Sequence, residues 1–249
     1  MARIKGILFD LGGTLVDFGP VDTMAMFAEG ARQAYAYLQA LGQPLPPLRR
    51  FHRHQLWAVR WHYLKSRLTR REFNSLDVLG QLSRKMGQTL TADQMEELAW
   101  LWYEPLSRCA TIEAGLPELL AGFRADDLRL GVVSNTFIPG HVLDRHLSQL
   151  GLLEYFPARI YSCDVMYRKP HPQIFRVALE RLGVAAQEAV FVGDSLAADI
   201  AGAARVGMAS VLKDPGGRRK GPGPRPTYRV KSLRQLRGIL DERMDPSRP

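Results

Sequence analysis

Ile7-Leu8-Phe9-Asp10-Leu11-Gly12-Gly13-Thr14-Leu15 begins as an apolar run and ends as a glycine turn, with a carboxylate at the junction. The apolar residues predict a buried strand over Ile4 to Phe9, because a strand covered on both faces reads as a near-continuous hydrophobic run. Asp10 then stands where the strand gives way to its loop. The glycines after it let the backbone turn tightly and approach an anion such as phosphate.

Working outward, short β-like runs alternate with helical patterns in the second half of the chain. Strands are predicted at Leu128 to Val133, Arg159 to Ser162, Ala189 to Val192 and Ser210 to Leu212. Helices are predicted at Leu116 to Phe123, His141 to Leu150, Pro172 to Leu182, Ala197 to Val206 and Leu233 to Met244. This alternation implies an α/β fold, a Rossmann-like, mainly parallel sheet with helices on both faces. Gly216 to Pro226 holds only Gly, Pro, Arg and Lys and reads as an exposed loop.

The segment after the Asp10 loop is different. Helical spacing runs from Val21 to Leu41, Leu48 to Leu68, Phe73 to Met86 and Thr91 to Trp102, with no strand between them. Gly42-Gln43-Pro44 ends the first of these helices, and Thr91-Ala92-Asp93-Gln94 has the form of a capping box. Trp57, Trp61 and Leu64 share one face of the second, and this stripe is read as helix packing rather than as a ligand box.

Composition narrows the function classes. The chain has 249 residues, 46% of them hydrophobic, enough for one large domain or a core with an insertion. A formal charge of +9 suits an anionic partner, but an Arg-rich solvated surface is the preferred reading of it. The sequence has no RNP-like strand and no zinc-ligand spacing, so nucleic acid is not expected as a partner. Cys109 and Cys163, far apart and without a CxxC, fit packing in a reducing cytoplasm. Asp10 interrupts the N-terminal apolar stretch too early for a signal peptide, and no segment has membrane-span length. A soluble cytoplasmic protein without a membrane partner is expected.

Ligands of open parallel sheets gather beyond the carboxyl ends of the strands. Four such ends carry polar groups: Asp10, Ser134, the loop leading to Lys169, and Asp194. Asp10-x-x-Gly-Thr-Leu, Val132-Val133-Ser134-Asn135, Arg168-Lys169-Pro170-x-Pro172-x-Ile-Phe175 and Gly193-Asp194-Ser195-x-x-x-Asp199 resemble the four motifs of the haloacid dehalogenase-like (HAD) hydrolase superfamily. The resemblance covers nearly the whole chain and is nearest to phosphatase-type members. It implies a discontinuous core domain, 1–16 and 106–249, with an inserted helical cap domain at 17–105.

Elementary chemistry assigns the roles. A carboxylate at Asp10 can attack phosphorus if a metal offsets its repulsion from the substrate. Asp10 and Asp194 would offer hard oxygen ligands to Mg²⁺. Asp199, one turn into the next helix, would hold metal-bound water or serve as a helix-start acid. Ser134 and neighbouring amides, including that of Asn135, would bind phosphate oxygens. Lys169 would balance charge between nucleophile and phosphoryl group, or form a simple ion pair. The resemblance carries the same roles onto these residues. It adds the backbone carbonyl of Gly12 as a metal ligand and Thr14 as a brace, with a small phosphorylated or otherwise anionic molecule as substrate.

Two positions depart from the pattern. The family's phosphatases have a second Asp two residues after the nucleophile, which protonates the leaving group and then activates water; here it is Gly12. Met166 stands where the family has a Gly ahead of its Lys. Gly12 leaves three readings open: a slow Mg²⁺-dependent phosphatase, a protein that binds phosphate and metal without turnover, or a branch with phosphonate or C–halogen chemistry. The phosphonate branch needs a cap lysine, for which Lys65 and Lys85 are the candidates. The basic residues of the helical segment, Arg49, Arg50, His52, Arg53, His54, Arg60, His62, Lys65, Arg67, Arg70 and Arg71, are expected mostly on a solvated face. The Asp10 loop also resembles the first phosphate loop of actin-like sugar kinases, but their duplicated domain is missing.

Overall fold

The computed structural model describes residues 3–69, 71–217, 219, 221 and 223–244. Strand β1 (Gly6–Phe9) is the centre of the molecule, and all four of its residues are buried. It pairs in parallel with β4 (Arg129–Ser134) on one side and β6 (Ala189–Gly193) on the other. Adding β5 (Ala158–Tyr161), β7 (Ala209–Lys213) and β8 (Tyr228–Val230) completes a six-stranded parallel sheet in the order β5-β4-β1-β6-β7-β8.

Side chains alternate across this sheet, so each strand feeds two cores. Ile7, Phe9, Val132 and Val192 pack with Leu120 and Phe123 of helix α5 (Leu116–Ala125) and with Leu143 and Leu147 of α6 (Gly140–Gln149). Leu8, Val133 and Phe191 pack on the other face with Phe175, Ala178 and Leu179 of α8 (Pro172–Leu182) and with Ala203 of α9 (Ala201–Arg205). Between β5 and α8 lies the four-residue helix α7 (Ser162–Val165), and α10 (Leu236–Met244) closes the chain. The expected parallel sheet with helices on both faces is therefore observed. The described residues of the Gly216–Pro226 loop are mostly exposed; Arg218, Lys220 and Pro222 lie outside the described residues.

Four helices lie between β1 and α5: α1 (Thr23–Ala40), α2 (Leu48–Thr69), α3 (Ser75–Lys85) and α4 (Ala92–Ser107). The expected capping box is present, with Gln94 N–H donating to Thr91 Oγ1 and Thr91 N–H to Gln94 Oε1. The chain leaves the sheet through β2 (Val16–Asp17) and returns through β3 (Thr111–Ile112), which pair antiparallel. The block also meets α6 directly: Arg145 lies 4.2 Å over the Trp100 ring, and Tyr103 Oη is 2.9 Å from His146 Nδ1.

The expectation that Trp57, Trp61 and Leu64 pack inward is overturned. Trp57 is 70% exposed, Trp61 64% and Leu64 53%. Helix α2 instead buries Phe51, Gln55 and Ser66. Phe51 packs edge-on against Tyr35 and stacks with Trp102, while Ser66 donates to Glu72. Two of the three buried positions are polar, and Ser66 is held by Glu72 and by Arg168 from beyond the helical block, so hydrophobic spacing alone points to the wrong face. The basic residues of this helix with described side chains are exposed or half-buried, as expected; Arg67's side chain and Arg70 lie outside the described residues. Among the described residues no helix is long and apolar enough to cross a membrane.

Candidate active site

The strand order sets the site. Asp10 leaves the end of β1 between Ser134, at the end of β4, and Asp194, just past β6. Its backbone N–H donates to the Val192 carbonyl, 2.8 Å away, so the pairing with β6 extends one residue into the loop. In the turn that follows, Val16 N–H donates to the Leu11 carbonyl and Gly13 N–H to the Val16 carbonyl. These bonds straddle Gly12, whose own carbonyl is left out of them. Gly13 has φ +80°, and a Cβ there would fall 2.6 Å from Asp194 Oδ2. Only glycine allows both the turn and the approach of Asp194.

Lys169 is the hub. Its Nζ lies 2.5 Å from Asp10 Oδ1 and 2.8 Å from Asp199 Oδ1, and it donates to the Val133 carbonyl at 2.8 Å. The Asn135 side chain holds the Lys169 backbone from both sides, donating to its carbonyl and accepting from its N–H. Asn135 therefore reaches the site as a clamp on Lys169, with its side-chain amide already committed. The Lys169–Pro170 peptide is cis.

Asp199 lies in a widened π-type turn (Leu196–Ile200), a form often found at functional sites. Its Oδ2 accepts from the backbone N–H groups of Asp194 and Ser195. This needs Gly193, since a Cβ there would lie 2.5 Å from Asp199 Cγ. Thr14 Oγ1 donates to Asp10 Oδ2 at 3.3 Å, a long bond that steadies the second carboxylate oxygen. Ser134 is buried and lines the same cavity.

Burial pushes the Asp10 carboxyl up to about 7, against the pull of Lys169. Burial works to lower the Lys169 ammonium, but Asp10 and Asp199 outweigh it and the net direction is upward. Asp194 is also raised by burial, partly offset by Arg219.

Carboxylate oxygens of Asp10, Asp194 and Asp199 lie within 4.8 Å of one another. The donors are all hard oxygens; Asp10 and Asp199 face the buried Lys169 ammonium, and Asp194 faces Arg219. That is a set suited to Mg²⁺. Arg219 Nη1 already contacts Asp194, bonding to its Oδ2 at 2.6 Å and to its carbonyl. Sequence reading missed this contact because Arg219 belongs to a loop with no periodic pattern.

Above these groups lies a cavity of about 520 Å³, walled by the helical block on one side and the strand-end loops on the other. Its lining includes Phe18, Phe27, Trp102, Tyr103 and Phe137. At its edge Arg168 donates to Glu72 Oε2 at 2.7 Å and to Ser66 Oγ at 3.0 Å. Glu72 Oε2 also accepts from Ser162 Oγ, whose oxygen receives the Thr136 N–H. This polar network between the helical block and the sheet was not visible in the sequence, since its members are far apart in the chain. Lys65 and Lys85 are exposed and outside the cavity lining. Cys163 is buried and Cys109 half-buried, both as free thiols.

Met166, ahead of Lys169, adopts φ +63° and ψ +5°. The left-handed region favours glycine, so the β-carbon of Met166 is held in a conformation that costs energy.

The chain is 28% identical over 214 residues to a phosphoglycolate phosphatase of Yersinia pseudotuberculosis, covering 82% of this chain and 81% of that one. An HAD phosphatase from Thermococcus onnurineus superposes with TM-score 0.61 at 29% identity, over 95% of this chain and 98% of its own. A 2-haloacid dehalogenase from Pseudomonas syringae pv. Tomato superposes with TM-score 0.66 at 26% identity, over 96% and 99%. The family pattern of haloacid dehalogenase-like hydrolases matches residues 4–207, and with the strand-end carboxylates in place the chain belongs to that hydrolase family.

Proposed function

We propose that the protein is a Mg²⁺-dependent phosphomonoester hydrolase with Asp10 as nucleophile and residues 17–105 as a cap over the site. The observation that carries this reading is the Asp10 carboxylate, 2.5 Å from Lys169 and grouped with Asp194 and Asp199 under a cavity. The similarity to phosphatases over most of the chain supports it. The two free thiols suit a reducing, cytoplasmic setting.

Asp10, Asp194 and the Gly12 carbonyl would hold Mg²⁺, with Asp199 supporting the group. When bound, the metal neutralises the phosphoryl oxygens so that an anionic nucleophile can approach. Asp10 forms a bond to phosphorus as the ester oxygen departs with its electron pair, giving an aspartyl phosphate. Lys169 balances charge on the transferring group, and Ser134 with the Asn135 amide positions its oxygens. Water then attacks phosphorus, releases inorganic phosphate and restores the Asp10 carboxylate. Gly12 offers no proton to the leaving oxygen, so that proton comes from solvent. Losing a positioned acid and base costs roughly 10²–10⁴-fold in rate, which makes slow turnover the expected behaviour.

The test is hydrolysis of 4-nitrophenyl phosphate with and without Mg²⁺, by the natural chain and by Asp10→Asn. Metal-dependent turnover that the substitution abolishes is expected. Turnover that survives it removes Asp10 as nucleophile. Binding of metal and phosphate without any turnover selects the binding-only reading. The likeness to a 2-haloacid dehalogenase and the missing acid favour C–halogen cleavage as a second reading. Metal-independent chloride release from 2-chloropropionate would select it.

A further inference from the structure

We propose that the outward face of α2 seats the protein on an anionic membrane surface, with its tryptophan and leucine side chains at the level of the lipid headgroups. This does not depend on the reaction catalysed. Trp57, Trp61, Leu64 and Leu68 recur at i, i+4, i+7 and i+11, the spacing of one helix face. They are 70%, 64%, 53% and 77% exposed. Phe51, Gln55 and Ser66 of the same helix are buried, so α2 is held by the fold from one side only. Two indoles and two leucines along one exposed face form a patch of the kind that marks an interaction surface.

Charge selects the occupant. Helix α2 carries Arg49, Arg50, Arg53, Arg60, Lys65 and Arg67 and has no Asp or Glu. Arg53 stands one turn ahead of Trp57, Arg60 one turn beyond it, and Lys65 one turn beyond Trp61, so cations border the stripe. All three are exposed, and among the described residues none of them is ion-paired. A second copy of the chain docked through α2 would bring two such sets of cations together, with no carboxylate from either helix to separate them. An anionic surface gains from the same cations.

Shape selects further. The other side of α2 is packed against its own fold, so a groove that encloses a helix cannot receive it, whereas a flat surface meets the stripe along its length. A helix with Trp and Leu on one face and Lys/Arg beside them lies in the plane of the lipid interface. Its indoles settle among the headgroups, and its long cationic side chains reach the anionic phosphates. The expectation of no membrane partner rests on the lack of a spanning segment, and a helix lying on the surface needs none.

Vesicles test this with the whole chain. Phosphatidylcholine vesicles with about 30% phosphatidylserine should bind it more tightly than phosphatidylcholine alone by about 10-fold or more, less so as salt is raised. Tryptophan emission should shift to the blue as Trp57 and Trp61 leave water. Trp57→Ser combined with Trp61→Ser should remove that shift and weaken binding by about 10-fold or more. Arg53→Gln combined with Arg60→Gln should weaken binding by about 25-fold, at about fivefold per cation. These are surface positions, and unchanged melting temperatures check that both variants fold. Equal affinity for the two kinds of vesicle, or none for either, overturns the proposal. Binding without a blue shift overturns the seating of the stripe and leaves attraction by charge alone. A lipid-free dimer in sedimentation that the double tryptophan variant dissociates assigns the stripe to a second copy and overturns the proposal too.

Discussion

Gly12 faces Phe18 across open space: a Cβ built at Gly12 would meet nothing nearer than Phe18 Cε2, at 3.8 Å. Gly12 is exposed, and its backbone is outside the left-handed region. Gly12→Asp is therefore expected to fold normally and to raise kcat on phosphate monoesters by about 10²–10⁴-fold, the usual effect of a positioned acid and base. The gain should be larger for an alkyl than for a 4-nitrophenyl ester. Equal kcat in both proteins would mean that the site lacks something besides the acid.

Lys169 is the buried cation between Asp10 and Asp199. Lys169→Met leaves two carboxylates facing each other without it, and breaking a buried pair in this way costs about 3–5 kcal/mol. On the proposed reading Mg²⁺ would supply charge at the same place, so it should raise the melting temperature more for the variant than for the natural chain. Equal shifts in the two would put the metal elsewhere.

Burial holds the Asp10 carboxyl up to about 7, so protons compete with metal there. Mg²⁺ affinity should be nearly constant above that pH and weaken by about 10-fold per unit below it, one proton being displaced for each ion bound. Calorimetry at pH 6, 7 and 8 checks this; a flat profile would exclude a titrating Asp10 ligand.

Met166 sits at φ +63° and is 48% exposed. A β-carbon in that conformation costs about 1 kcal/mol or more, partly offset by the entropy glycine loses on folding. Met166→Gly should raise the urea midpoint modestly at constant m-value. A lowered midpoint would show that the Met166 side chain stabilises the loop by contacts that outweigh its backbone cost.

His146 is 3% exposed and lies 2.9 Å from the Tyr103 hydroxyl, between α6 and the helical block. Burial lowers its imidazole below the ordinary value. Because the folded-state value is the lower one, the unfolded chain takes up the proton first as pH falls. Stability from the neutral ring is thus complete above about pH 6.5, the ordinary histidine value, and is lost as pH falls through the folded-state value. His146→Gln should flatten that part of the stability profile between pH 7 and 5; an unchanged slope would assign it to other groups.

The parts legible in the sequence are those coded by local pattern. The apolar runs gave β1, β4, β6 and β7, and the proline at position 172 marked the start of α8 where it is observed. Asp10, Ser134, Asp194 and Lys169 were found because strand ends in a parallel sheet converge on one side. β2 and β3 have two residues each and β8 three, too few for alternation to register. The outward face of α2, the Glu72–Arg168 bridge and the Arg219–Asp194 contact depend on pairings across the chain that no window of sequence contains.

The β2–β3 ribbon has a consequence for how such a protein diversifies. Val16 pairs with Ile112 and Asp17 with Thr111, so the two crossings to the helical block lie side by side. On the proposed reading of residues 17–105 as a cap, everything between them is, in topological terms, a side loop on the sheet. Exchanging that loop would then alter what the cavity walls admit while Asp10, Asp194 and Asp199 keep their places at the strand ends, so that selectivity and the strand-end chemistry would vary separately.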